Sequence, residues 1–410
     1  MLALVTARGV LAQVRHVSPV PPRAARGLVA RVYAQLVRDF GMAAPPVLLH
    51  SPAPEALAAC WMMLRESLLC GDAAARVVKE VVASEVSAAN ACPYCVDVHH
   101  ATLRGLRGHD DPRLAAVAAW ARATGERRSV AEQPPASRAG PLAAGQQPSC
   151  EPVAVGQRLP ALQPRLLAER EWPPPGAGLT AVGERSAALE AELIAVAVTF
   201  HYLNRMVTVF LGDSPLPPEV PRRARGPALW AFGRLMRPAA RRTVPAGASL
   251  PLLPAAPLPP DLAWAGSGPL ADAFARASAA IEACGLRSVP GPVRDLVTER
   301  LAAWTGGPPP VPPGRARAQE AGPPSRAWVT EATAALPGGL RPAATLALLT
   351  ALAPYQVDDG VVEACRRAGQ DDRSLIELTA WASLSAARRV GGRQPAPSPV
   401  NGSSVERTNP

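Results

Sequence analysis

Lysine is almost missing from this sequence. Of its 43 basic residues only Lys79 is a lysine, and the arginines are scattered singly or in pairs. The formal net charge of +10 therefore comes without the basic stripe, interleaved with aromatics, that a nucleic-acid interface presents. It reads as a generally cationic surface, and nucleic-acid binding is set aside. Aromatic residues make up only 4% of the chain against 48% hydrophobic. The core must then be built largely from Ala, Leu and Val, the vocabulary of closely packed helices. No uninterrupted apolar run reaches the length of a membrane span, so no membrane role is expected. The opening stretch, "MLALVTARGVLAQVRHV", is broken by Arg8 and Arg15 and lacks a convincing cleavage site, which excludes a good signal peptide. No alternating segment finds a partner as a strand.

Cysteine is sparse as well. There are seven, and Cys60, Cys70, Cys150, Cys284 and Cys365 stand alone. An odd number of mostly isolated thiols suits a reducing cytoplasm, the expected location, where a lone CxxC is catalytic or metal-binding more often than a structural staple. Cys60, Cys70, Cys284 and Cys365 fall in apolar helical stretches and read as inert core residues.

What the chain does have is helical periodicity, punctuated by 48 prolines. The pattern predicts helices over 24–40, 54–70, 72–90, 93–107, 111–124, 184–211, 269–285, 290–304, 325–335, 341–352, 358–368 and 372–389. Residues 125–175, rich in Pro, Gly, Gln and Ser, read as a flexible insertion, and 213–260 as a Pro-rich connector. The last stretch, 393–410, reads as a disordered tail.

The chain also repeats. Shifted by 261 positions, "PYCVD" (93–97) falls on "PYQVD" (354–358), Asp110 and Asp111 on Asp371 and Asp372, and "AWA" (119–121) on "AWA" (380–382). The expectation is an all-α protein of two tandem copies of one helical domain, 1–212 and 261–392. The copies differ where chemistry would sit: Glu80, Cys92, Cys95 and His99 become Arg341, Ala353, Gln356 and Gly360. The second copy lacks the CxxC motif and reads as structural.

The stretch unlike all others is "NACPYCVDVHH" (90–100). Pro93 suits the first turn of a helix, where its missing N–H costs nothing. Cys92 then sits at the cap and Cys95 in the first turn, within disulfide reach. A helix N-terminus favours thiolate at either position. His99 follows Cys95 by four residues on the same face, while His100 points about 100° away. Zinc is the rival reading, since Cys92, Cys95, His99 and His100 count four ligands. Adjacent histidines on one helix diverge, however, and no second CxxC or HxxxH lies nearby, so redox use is favoured and no metal is expected. Tyr94 recurs as Tyr355 beside no cysteine, which argues for packing. His201 and Arg205, four apart, read equally as pocket residues or as a structural link between helices.

Glu80, twelve residues before Cys92, completes E-x11-C-x2-C-x3-H. "KEVVASEVSAANACPYCVDVHH" resembles the signature of the alkylhydroperoxidase D-like, or carboxymuconolactone decarboxylase, superfamily, and "FHYLNRMV" (200–207) is similar to a later helix of its peroxidase-related members. The resemblance covers 24–124 and 180–212, and continues without the motif in the second copy. It implies that Cys95 is the peroxidatic thiol, that Cys92 resolves it as a disulfide, and that His99 and Glu80 relay the proton. Some family members carry a second relay histidine between the cysteines, where this chain has Tyr94. The implied activity is reduction of peroxides in the manner of a peroxiredoxin, with no cofactor and with electrons from a dithiol donor, a lipoyl or thioredoxin-like protein. Family members form oligomers, so a homo-oligomer is expected, or a pseudo-dimer built by the fusion. The alternatives are a thiol–disulfide oxidoreductase that does not use peroxides, and a redox-sensing or ligand-binding module of the same fold.

Overall fold

The computed structural model describes residues 11–71, 73–112, 114–125, 179–217, 219–306 and 326–393. The insertion at 125–175 and the tail, each beyond its first residue, lie outside the described residues, and so does Cys150. Among those described, the structure is all-α, and the only β contacts are two isolated bridges, Val14 with Leu211 and Gly71 with Val244.

The first half holds α1 (Gly27–Phe40), α2 (Pro54–Leu64, extended by a π turn at Arg65–Leu69), α3 (Ala73–Ala89), α4 (Pro93–Arg104), α5 (Leu114–Ala123) and α6 (Leu179–Phe210). A connecting helix α7 (Arg222–Ala240) follows. The second half holds α8 (Pro269–Ser288), α9 (Gly291–Ala303), α10 (Ala327–Thr333), α11 (Arg341–Leu352), α12 (Asp359–Arg367) and α13 (Asp372–Gly391). These ranges match the periodicity closely, except that α7 falls in the stretch read as a proline-rich connector. Pro227 and Pro238 stand inside it.

Two helices are buried on every side, and they define the centre. Ala56 to Leu64 of α2 are all buried, as is nearly every residue of α6 from Leu193 to Phe210. A helix with apolar residues on every face must be covered on every side. Across the junction of the halves α2 packs on α8, and α6 packs on α13. The segment Ala188–Phe210 is long and apolar enough to cross a membrane, but 94% of its most apolar 18-residue window is buried inside the protein, so it serves here as a core helix. The apolar run is not uninterrupted, since Glu190, Glu192, Asn204 and Arg205 break it, and the segment passes on its window average alone.

The repeat is visible in the second half, with a difference. The chain enters a short 3-10 turn at Pro354–Gln356, breaks at Val357, and restarts as α12, capped by Asp358 accepting from the Val361 amide at 3.1 Å. The helix start that carries the cysteines in the first copy is thus split in the second. Gln356 is buried and accepts from Trp328 Nε1 at 3.1 Å. Register alone pairs α13 with α5. Packing gives α13 a second likeness, to α6, since both are long, buried and face each other.

Charged side chains are also buried. Arg65 bridges Asp39 at 2.7 Å and Glu66 at 2.6 Å, and Glu66 receives the Gly247 amide at 2.8 Å, which pins the connector onto α2. Lys79 is fully buried, donating to the Cys70 carbonyl at 2.8 Å and paired with Glu192 at 2.7 Å. Charges removed from water are retained only when paired this way.

α7 reaches the cysteine helix through a glycine. A Cβ on Gly233 would sit 2.3 Å from the Ala101 carbonyl oxygen of α4, which no neighbour can accommodate. Gly233→Ala is expected to force α7 off α4, at a cost of about 1–3 kcal/mol from overpacking. A lowered denaturation midpoint, together with altered alkylation of the α4 thiols, would report it. An unchanged midpoint would mean that α7 is not held there.

Candidate active site

The chain leaves α3 at Asn90 and turns sharply. Ala91 adopts φ +50°, a left-handed value unusual for a residue with a Cβ. That turn places Cys92 at the N-cap of α4 and Pro93 at its first position, as the sequence spacing requires. Both cysteines are buried, and their sulfurs lie 2.9 Å apart as free thiols. A disulfide bond is about 2.05 Å long, so closure asks for a shift of about an ångström.

One turn along, His99 is buried beneath Phe200, whose ring meets it edge-on at 4.5 Å between centroids. Its Nδ1 lies 2.7 Å from Glu80 Oε2. The carboxylate can only accept, so Nδ1 carries the proton and Nε2 is left to act on other groups. The other oxygen, Oε1, receives Arg76 Nε at 2.7 Å and its terminal nitrogen at 2.6 Å. Burial alone would raise the Glu80 carboxyl, but Arg76 and His99 outweigh it and hold it below the ordinary carboxylate range. An ordered Arg76–Glu80–His99 line results, with a fixed tautomer at its end.

The two thiols are unequal. Burial pushes both up, but Cys92 receives hydrogen bonds from the Cys95 thiol and backbone, with Thr208 and Asn204 beside it, and comes out below the ordinary thiol value. Cys95, buried and donating to Cys92, is raised well above it. Of the two sulfurs, Cys92 has the surroundings that favour the anion.

Each sulfur also has its own surroundings. Cys95 and His99 line an apolar pocket of about 80 Å³, walled by Phe40, Met42, Phe200 and Phe232 among others. Cys92 lines a separate recess of about 250 Å³ with Arg15, Thr208, Asp213 and Tyr355. Tyr94 is buried between them, lines both, and its hydroxyl donates to Gln13 Oε1 at 3.2 Å.

Cys92, Cys95, His99 and Glu80 are therefore brought together, and His100 is not. His100 faces solvent while His99 is committed to Glu80, so the four zinc-ligand candidates do not converge. No group of three or more His, Cys, Asp or Glu is placed to hold a metal among the described residues. Cys60, Cys70, Cys284 and Cys365 are buried, and burial raises each thiol, to about 12 for Cys284 and Cys365. His201 lies between Asn90 at 3.1 Å and Thr124 at 3.0 Å, and Arg205 donates to the Ala351 carbonyl at 2.9 Å, tying α6 to the second half. The two also line one pocket of about 90 Å³ with Trp304 and Tyr355, so they are both a link and pocket residues.

Sequence reasoning missed Arg76 and Thr208, and held Phe200 and Asn204 only as part of the family-like stretch 200–207, without a role at the cysteines. Arg76 had a signal, standing four residues before Glu80 on one helix. Asn204 and Thr208 share that spacing with each other, but nothing local ties α6 to a cysteine more than a hundred residues earlier.

A family model described as the carboxymuconolactone decarboxylase family matches residues 54–130, the segment holding all four motif residues. The alkyl hydroperoxide reductase Rv2159c of Mycobacterium tuberculosis (strain ATCC 25618 / H37Rv) is 34% identical over 384 residues, 92% of this chain and 94% of that protein. The chain belongs to the carboxymuconolactone decarboxylase family. The match to that relative runs through both halves, so the fused arrangement is common to the two proteins. No solved structure matches the chain.

For this member of the family, Asn204→Ala removes an amide beside the Cys92 thiolate. A hydrogen bond to a charged group contributes about 1.5–3 kcal/mol, equivalent to roughly one to two pKa units. The alkylation-versus-pH profile of the reduced protein should begin below the ordinary thiol value and move to higher pH in Asn204→Ala. A profile that stays in place would remove Asn204 from the site. Glu80 has its own signature. Its folded pKa is depressed, so its contribution to stability is full above the ordinary carboxylate value and is lost as pH falls through the folded one. Glu80→Gln should flatten that acid limb.

Proposed function

We propose that the protein is a thiol-dependent peroxidase that reduces peroxides through the Cys92/Cys95 pair, with His99 and Glu80 as proton relay. The observation that carries the reading is the reduced pair at 2.9 Å with Cys95 and His99 lining one apolar pocket. The name of the mycobacterial relative, an alkyl hydroperoxide reductase, points the same way.

A peroxide with an organic tail enters the apolar pocket. Cys95 gives its proton to His99 Nε2 and attacks the terminal peroxide oxygen, and the O–O bond breaks. The proton moves to the departing alkoxide, which leaves as alcohol, and Cys95 becomes a sulfenic acid. Cys92 attacks that sulfur, expelling hydroxide, which leaves as water after protonation. One peroxide and two thiols become one alcohol, one water and one disulfide. Glu80, held ionised by Arg76, stabilises the imidazolium formed in between.

A second reading reverses the two cysteines. Asn204, Thr208 and the Cys95 thiol all favour the anion on Cys92, which also has its own recess. We favour Cys95 because the relay histidine shares its pocket. Domains 1–212 and 261–392, a cytoplasmic location, a dithiol donor and a homo-oligomer or built-in pseudo-dimer belong to the same proposal.

The test is peroxide consumption by the purified protein with a panel of dithiol donors. Many turnovers per protein support the peroxidase. Oxidation of one disulfide per chain that then stops supports a sensor, and disulfide exchange without peroxide use supports the oxidoreductase alternative. Removing a general acid–base group slows a reaction by about 10²–10⁴-fold. His99→Ala should slow thiol oxidation within that range while leaving the helical fold in place.

A further inference from the structure

Each thiol lines a recess of its own, with the buried Tyr94 as partition. The apolar pocket at Cys95 is walled by the first half and α7, whereas the recess at Cys92 mixes the two halves. Its walls are Arg15 and Thr208 from the first half and Asp213 at the start of the connector, with Tyr355 and Val357 from the second half. Tyr355 and Val357 flank Gln356, the residue that replaces the second cysteine in the degenerate copy. The loop that lost its own chemistry therefore stands over the resolving cysteine of the live copy. Tyr355 is 45% exposed, an unusual position for a large aromatic ring, and Cys92 itself is only 1% exposed.

Resting on the peroxidase reading above, we propose that the two half-reactions use separate entrances. Peroxide reaches Cys95 through the apolar pocket. The reducing thiol reaches Cys92 through the recess whose wall is Tyr355 and Val357. The second copy then selects the reductant. A sulfur buried at the end of a recess of about 250 Å³ admits a slim thiol, free or carried on an arm, and excludes the broad face of a folded partner. Arg15 at the same recess favours the thiolate form of an incoming thiol.

The chemistry balances. A donor thiol sheds its proton and attacks Cys92 Sγ as thiolate, the protein disulfide breaks, and Cys95 leaves as thiolate and is reprotonated through His99 Nε2 at the expense of that donor proton. The donor's second thiol, deprotonated, attacks the donor sulfur bound to Cys92. The donor leaves as its own disulfide and Cys92 is released as thiolate. Two electrons pass from donor to protein, and the two donor protons replace those lost in oxidation.

The experiment separates the halves of the cycle in the full-length chain. The disulfide is formed with diamide, not peroxide, and its reduction by dithiothreitol is timed. In parallel, reduced protein is oxidised with cumene hydroperoxide. Val357→Trp, which fills the recess, should slow reduction by at least about tenfold, because exchange rates follow access to the attacked sulfur, and should leave oxidation near the wild-type rate. Met42→Trp, which fills the other pocket, should do the reverse. Tyr355→Ala, at a half-exposed position whose loss spares the fold, should speed reduction by a dithiol too bulky for the native recess. Wild-type reduction rates in both Val357→Trp and Tyr355→Ala would overturn the proposal. So would Met42→Trp slowing both half-reactions alike, which would mean a single entrance. Because the diamide arm needs no peroxide, failure of the peroxidase reading shows up only in the oxidation arm and is distinguishable.

Discussion

Cys95→Ser is expected to abolish peroxide reduction, whereas Cys92→Ser should react once and stop with a sulfenic acid on Cys95. The asymmetry follows from the surroundings of each sulfur. Cys95 shares its pocket with His99, so an intact Cys95 retains both a route for peroxide and a proton acceptor without Cys92. It lacks only the partner 2.9 Å away that would resolve it. A dimedone-type probe with mass spectrometry locates the label. Labelling of Cys92 in Cys95→Ser, with none on Cys95 in Cys92→Ser, would establish the reversed roles that the Cys92 electrostatics favour. A second consequence separates the variants. Cys92→Ser removes the thiolate charge that holds Cys95 high, so Cys95 should ionise more easily there than in the reduced wild type.

Truncation near residue 260 should leave a chain that aggregates or self-associates, although its cysteine centre is formally complete. The cut removes α8 from α2 and α13 from α6, the two helices buried on every side in the full chain. Particular partners go with them. Met206 Sδ, which accepts from Ser383 Oγ at 3.3 Å, is left bare, and Arg205 is parted from the Ala351 carbonyl. Gly391 packs so closely on Val198 and Trp264 that a Cβ there would lie 2.7 Å from Val198. Each large apolar side chain returned to water costs about 1.5–3 kcal/mol. Half a dozen of them exceed the roughly 5–15 kcal/mol that holds a domain together. Size-exclusion chromatography with light scattering reads the outcome. A monomeric, soluble 1–260 fragment as active as the full chain would contradict it, and would also remove the reductant entrance from the second copy.

Much of this architecture was legible in the sequence. A 3.6-residue period in a chain poor in aromatics gave the helices to within a few residues, because apolar stripes must be buried wherever they occur. The spacing placed Cys92 and Cys95 at a helix start with His99 one turn along, and the family resemblance added Glu80 from the helix before it. Two things were hidden for physical reasons. α7 was masked by Pro227 and Pro238, which lower helix propensity locally while packing against α4 compensates. The surroundings of Cys92 were hidden because Asn204, Thr208 and Tyr355 arrive from other parts of the chain, through tertiary packing that no local pattern encodes. Tyr355 read as a packing remnant of Tyr94. In space it stands at the opening to Cys92.

The buried lysine has a practical consequence. A typical protein surface sheds protons from its ammonium groups at roughly pH 10.4, and this one has none to shed, because its single lysine is enclosed against Glu192 and its remaining basic side chains, histidines apart, are guanidiniums. Tyr33 is pushed up to about 12, Tyr94 and Tyr202 rise with it, and the four solitary cysteines of the described residues are raised as well. Mildly alkaline buffer is therefore an unusually silent background. Cys150, Tyr355, the α-amine and Arg205, whose burial pushes it down to about 10, apart, a proton released there is one leaving the dithiol. Reduced and oxidised chains then differ in charge by the thiolate alone, and native electrophoresis at that pH should resolve them as two bands without any label.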